Sequence, residues 1–224
     1  METPQVSEQT RMLFQRVYAW MFLGLLISGA TAYVVSGNSS LYEPLLYNDV
    51  IFYGLIIFEL VLVLLLVWLF NRISTTLALI MFLLYSFVTG LTLSAIFLVY
   101  TLGSIGLVFF ISAGMFGAIS LYGYITKADL TKMGQILLMG LLGIVIASIV
   151  NLFLANSVMD FVISILAVII FTGLTAYDTQ KIKRMAAMSN IDVKKQAIRG
   201  ALSLYLDFIN IFLNLLRLLG KKRR

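Results

Sequence analysis

The sequence predicts an all-α integral membrane protein, a bundle of seven transmembrane helices, from three observations. Of 224 residues, 61% are hydrophobic and only 12% charged, well below the roughly 25% charged residues of soluble domains. Apolar runs of about 20 residues, enough to cross about 30 Å of hydrocarbon, recur along almost the whole chain. Through the sixth span, lysine and arginine are confined to the N-terminal tail and alternate loops. A single membrane domain over 1–224 is therefore expected, with no room for a soluble one.

Residues 1–16 carry Glu2, Glu8, Arg11 and Arg16 and read as a short cytoplasmic tail or surface helix. The first span, about 17–35, contains Ala30-Thr31-Ala32, which resembles a signal cleavage site. Its apolar part exceeds the roughly 7–15 residues of a signal core and further spans follow, so it is expected to stay as an uncleaved first helix. The remaining spans fall at about 51–70, 75–98, 104–124, 133–154, 158–178 and 200–219. Loops after the first, third and fifth spans hold no Lys or Arg, whereas the opposite set holds Arg11, Arg16, Arg72, Lys127, Lys132, Lys181, Lys183, Arg184, Lys194, Lys195 and Arg199. Positive charge is retained on the cytoplasmic side, which puts the N-terminus there. A seventh span that crosses fully carries Lys221, Lys222, Arg223 and Arg224 against that bias, and one that re-enters keeps them inside.

Composition also excludes chemistry. Without cysteine there is no disulfide frame and no thiolate ligand or nucleophile. Without histidine, a pH response near neutrality must come from carboxylates, lysines or the α-amino group. There is no Ser-His-Asp set, zinc motif or phosphate-cradling loop, and the Gly-flanked aspartates of intramembrane aspartyl proteases are missing. No enzyme and no cofactor are expected. The net charge of +6 sits in loops and at the C-terminus, which points to the bilayer and its anionic lipids as partners, not to nucleic acid.

Pairs of small residues four apart, Ala113 with Gly117 and Gly143 with Ala147, suggest close helix packing. Thr89-Gly90-Leu91-Thr92 in the third span recurs as Thr172-Gly173-Leu174-Thr175 in the sixth. Three spans on, the second copy would run in the opposite direction, as in inverted-repeat transporters.

Three acids lie at bilayer depth, where an ionised carboxylate costs roughly 2.5–3.5 kcal/mol on insertion scales. Asp207 is in the middle of the last span. With Ser203, Asn210, Asn214 and Arg217 it forms one narrow polar stripe at helical spacing, which must face the bundle interior, an aqueous cavity or, if the helix lies shallow, the interface. Asp178 ends the sixth span just before Lys181, Lys183 and Arg184. A turn between these spans lets the two carboxylates meet, and two carboxylates in contact share a proton and titrate as a unit. Glu59, in the second span, reads either as a cation-pathway residue or as a protonated acid hydrogen-bonded to a neighbouring helix. Calcium takes about six to eight oxygens, more than Asp178, Asp207, Asn210 and Ser203 offer. A weak, transient calcium site at Asp178 and Asp207 is the most these groups support, and weak binding is what conduction requires.

Gly173-Leu174-Thr175-Ala176-Tyr177-Asp178-Thr179-Gln180-Lys181 and Leu204-Tyr205-Leu206-Asp207-Phe208-Ile209-Asn210 resemble the signature segments of the Bax inhibitor 1 family, also called the transmembrane Bax inhibitor motif family. Thr89-Gly90-Leu91-Thr92-Leu93-Ser94 and Ser120-Leu121-Tyr122-Gly123-Tyr124-Ile125-Thr126-Lys127 extend the likeness over nearly the whole chain, closest to bacterial members. The resemblance implies seven spans with the C-terminal helix central, and a pH-sensitive calcium leak in which Asp178 and Asp207 are the sensor. It further implies a basic lock just after the second span's tryptophan. Here Trp68 is followed by Leu69-Phe70-Asn71 before the nearest base, Arg72. The implied location is the bacterial cytoplasmic membrane. Two other functions remain open at this point: an interaction protein regulating a membrane protease or cell-death and stress machinery, and a proton-coupled carrier of a small solute.

Overall fold

A computed structural model describes residues 4–188 and 192–223; Glu2 and Arg224 lie outside the described residues. It is all-α, with eight helices: α1 (Pro4–Ser36), α2 (Ser39–Leu46), α3 (Asp49–Leu69), α4 (Thr75–Val99), α5 (Leu102–Ile125), α6 (Thr131–Leu154), α7 (Ser157–Ala186) and α8 (Val193–Leu219). Seven of them, all but α2, are long and apolar enough to cross a membrane.

The boundaries depart from the sequence reading where polar residues continue a helix. Residues 4–16 are the first turns of α1, with Pro4 at its first position, where a missing N–H costs nothing. Helix α7 runs on through Lys181, Lys183 and Arg184 to Ala186, so Asp178 sits inside the helix and not at its end. Basic residues in a last turn suit the helix dipole. Helix α8 starts at Val193, seven positions before the expected 200, because Asp192 accepts the Lys195 N–H at 3.0 Å as a cap. Asparagines or serine cap α2, α3, α4 and α7 in the same way, through Asn38, Asn48, Ser74 and Asn156. The short α6–α7 turn places Ala155 in the left-handed region at φ 48°, locked by Asn151 bonding both the N–H and the carbonyl of Asn156.

The chain separates into two compact units: Met1–Thr101 with Ser189–Leu202 and Lys222–Arg224, and Leu102–Met188 with Ser203–Lys221. In the first, α1 lies along α4. A Cβ on Gly90 would stand 2.8 Å from the Ser28 carbonyl, so only glycine permits the approach that lets Ser28 donate to the Ser86 carbonyl at 2.7 Å. In the second, α7 packs on α5 and α6. Gly123 lies against the Ala176 backbone and Gly134 against the Tyr177 ring, while Ser120 and Thr179 share a hydrogen bond of 2.9 Å. Gly117 and Gly143 face open space, so the small-residue pairs picked from spacing alone are not packing points.

Both ends of α8 are tied to α4 through residues of the first unit. Lys195 Nζ donates to the Ile73 carbonyl and Arg199 to Asn71 Oδ1, each at 2.6 Å, just before α4 begins. Beyond α8, the Arg223 N–H donates to the Val99 carbonyl at 2.9 Å, where α4 ends. Within the first unit, the residues that precede and follow the body of α8 thus meet opposite ends of α4, and the basic tail lies at a loop free of Lys and Arg. Helix α8 is also the most buried span, 61% against 6–44% for the others.

Candidate acidic site on α7 and α8

Both aspartates belong to the second unit, and helical spacing arranges their neighbours. Thr175 and Asp178 lie one turn apart on α7, as Ser203 and Asp207 do on α8. The partners cross over: the Ser203 hydroxyl donates to Asp178, and Thr175 stands beside Asp207. The remaining diagonal joins the acids, close enough for the charge on Asp178 to act on Asp207. The structure thus brings together the two carboxylates singled out from sequence.

Their surroundings differ. Asp178 is half-buried and has Lys181 near it as an electrostatic partner; the lysine itself lies over the Tyr177 ring at 5.7 Å. Asp207 is only 4% exposed. Its Oδ2 is buried without a hydrogen-bond partner, while the Thr175 hydroxyl, a hydrogen-bonding neighbour of the Asp207 carboxyl, also donates to the Phe171 carbonyl at 2.8 Å. A buried acceptor left unpaired costs on the order of 1–3 kcal/mol, and more when charged. A proton on that oxygen removes the charge and supplies a donor to the neighbouring carboxylate.

The frame around the site is firm. Phe208, next to Asp207, packs edge-on against Phe109 and Phe116 at 5.5 and 5.6 Å between ring centres. Half a turn beyond Asp178, Gln180 donates to the Ala128 carbonyl at 2.7 Å and accepts the Leu130 N–H at 3.0 Å. Arg184 then reaches Asp129 at 2.6 Å and Thr131 at 2.7 Å. The end of α7 is clamped onto the α5–α6 connection.

Other candidate residues lie apart. Asn210 and Asn214 donate to the carbonyls of Leu206 and Asn210, both at 2.8 Å, satisfying themselves within α8. Asn214 is buried, Asn210 half-buried and Arg217 exposed. Glu59, in the first unit, accepts from Thr89 at 2.7 Å and Thr92 at 3.0 Å, with Tyr85 as a further donor. These bonds join α3 to α4. Arg72, also in the first unit, stacks over Trp68 at 5.4 Å. Sequence reasoning passed over Thr175, Gln180 and Arg184, although Thr175 closes the repeated Thr-Gly-Leu-Thr motif.

With this geometry in place, comparison with known proteins is decisive. The family model described as inhibitor of apoptosis-promoting Bax1 matches residues 10–224. The chain belongs to that family. Among relatives, the inner membrane protein YbhL of Escherichia coli K12 is 46% identical over 98% of this chain and 95% of its own length. An uncharacterized protein of Borreliella burgdorferi is 49% identical over 93% of this chain and 91% of its own. The protein RP147 of Rickettsia prowazekii is 42% identical over 97% and 92%. The α7 and α8 segments that carry the resemblance to Bax inhibitors are those that build the acidic site.

Proposed function

We propose that this Bax inhibitor family protein is a pH-sensitive calcium leak of the bacterial cytoplasmic membrane, its N-terminus cytoplasmic, gated by a proton shared between Asp178 and Asp207. The observation that carries the reading is the unpartnered, buried Oδ2 of Asp207 beside a second carboxylate. An ionised pair there is doubly unfavourable, through desolvation and like-charge repulsion, so one proton is held between the two groups and its loss loosens α8 from α7. The clustered oxygens of Asp178, Asp207, Ser203 and Thr175 are hard ligands suited to calcium but too few for tight binding, as a permeant ion needs. No enzyme activity or cofactor is involved, and protons, calcium and anionic lipids are the partners. The location follows the name of the E. coli relative and the bias of basic residues to the cytoplasmic side.

Reconstitution of the purified chain into liposomes tests this. Calcium flux that varies between pH 5 and 8 and loses that variation in Asp178→Asn and Asp207→Asn is the expected result. Absence of calcium flux at every pH overturns the leak and favours regulation of another membrane protein. Proton movement coupled to a solute gradient favours a carrier.

A further inference from the structure

A second polar site lies within the first unit, where α1, the start of α4 and the start of α8 converge. An open pocket of about 410 Å³ forms there, within the range of about 300–1,000 Å³ typical of small-ligand sites. Its polar wall carries Arg16 from α1 and Lys194 from α8. Neither side chain has a hydrogen bond or ion pair among the described residues. Thr75 and Thr76 face it from the first turn of α4. The N–H groups of such a turn have no acceptor within their own helix.

One acid stands nearby. Asp192 accepts from the Thr75 hydroxyl at 3.1 Å and from the Lys195 N–H at 3.0 Å. Lys195 itself is engaged with the Ile73 carbonyl. The Asp192 charge is thus already met by its own donors, and Arg16 and Lys194 are left as two like charges on one pocket without a counter-ion among the described residues. The opposite wall is apolar, made by Trp20, Leu79 and Ile198. A ligand that fits is anionic at one end and apolar along its side.

We propose that this pocket binds the phosphate of an anionic phospholipid, with Arg16 and Lys194 on the headgroup and the Trp20–Leu79–Ile198 wall against the start of an acyl chain. Free phosphate shares the anionic chemistry but leaves the apolar wall uncovered. Position supports the lipid: the pocket lies at the ends of membrane-spanning helices, where tryptophan anchors at headgroup level and basic pockets between helices take anionic headgroups. The site is independent of the acidic pair and of calcium flux.

The test is native mass spectrometry of the full chain in detergent, with dioleoylphosphatidylglycerol or dioleoylphosphatidylcholine added. Each basic residue near an anionic lipid is worth roughly fivefold in affinity, so Arg16→Gln/Lys194→Gln is expected to lose phosphatidylglycerol retention roughly 25-fold. Thr76→Glu, at an exposed position, is a second variant that leaves the packing alone and is expected to weaken retention in the same direction. Lys132→Gln, an exposed base elsewhere, is expected to leave retention unchanged. Equal retention by the double variant, equal loss in Lys132→Gln, or equal retention of the zwitterionic lipid overturns the proposal. Displacement of the lipid by millimolar inorganic phosphate overturns the lipid assignment and leaves a simple anion site.

Discussion

Each unit of the molecule carries a Thr-Gly-Leu-Thr motif in its third spanning helix and an acid beside it, but the two acids are treated differently. In the first unit Glu59 is met by hydroxyl donors from Thr89, Thr92 and Tyr85. In the second, the Thr175 hydroxyl is shared with the Phe171 carbonyl, and Asp207, near the second carboxylate of Asp178, keeps one buried oxygen, Oδ2, with no partner. A satisfied acid ties two helices together, whereas an unsatisfied pair stays poised to take up or release a proton. The same motif thus supports a structural joint in one unit and a candidate switch in the other.

The largest expected effect sets the two acids against each other. Asp207→Asn should abolish the pH response of calcium flux in liposomes, and Glu59→Gln should keep it, since an amide oxygen still accepts from Thr89 and Thr92. A flat pH profile in Glu59→Gln would break the contrast and move sensing, or part of it, to the first unit.

The next effect concerns the hydroxyls. Thr89→Val/Thr92→Val strips two donors from a half-buried carboxylate, which costs about 1–3 kcal/mol. Thr175→Val removes a bond within its own helix, worth about 0.5–1.5 kcal/mol. Thermal unfolding in detergent, followed by tryptophan fluorescence, should therefore rank the double variant clearly below Thr175→Val. The reverse order would mean that Thr175 supports Asp207 after all.

The motif glycines sharpen the comparison further. A Cβ on Gly90 would stand 2.6 Å from Thr31 Cβ and 2.8 Å from the Ser28 carbonyl, so backbone has to move; overpacking of this kind costs about 1–3 kcal/mol. At Gly173 the obstacle is the flexible tip of Leu137, 2.5 Å away, and the gain in helix propensity of Gly→Ala, about 0.8–1.0 kcal/mol, offsets part of the strain. Gly90→Ala should lower the unfolding midpoint more than Gly173→Ala in the same assay.

Much of this was legible in the sequence because bilayer physics leaves few options. Seven apolar runs gave seven spans, and the cost of charge in hydrocarbon singled out Asp207, Asp178 and Glu59 before any coordinates. What escaped were features set by tertiary partners. The ends of α7 and α8 could not be placed from hydropathy, since Lys181, Lys183 and Arg184 are as compatible with a helix as with a loop. Packing glycines could not be told from spacing: Gly117 and Gly143 fit a motif and face open space, while Gly123 fits no such pair and meets backbone. That Oδ2 of Asp207 is left without a partner depends on tertiary packing, and no sequence pattern records that.

The smallest effect lies outside the membrane, where both units hold an exposed aspartate by similar means. Thr131 and the Arg184 guanidinium keep the Asp129 carboxyl below the usual carboxylate range. The Lys195 N–H and the Thr75 hydroxyl do the same for Asp192. A carboxylate depressed in the folded state contributes stability that is fully present above its unfolded value of about 3.9 and is lost as pH falls through the lower folded value. Neither group changes charge between pH 5 and 8, so neither can supply a response in that window. Asp129→Asn should therefore leave the pH profile of flux unmoved, and its stability deficit relative to the parent should shrink as pH falls below about 4. If this variant instead shifted the flux profile near neutrality, the clamp at the end of α7 would be setting the proton affinity of Asp178, and the contrast between the two units would extend beyond the carboxylates themselves.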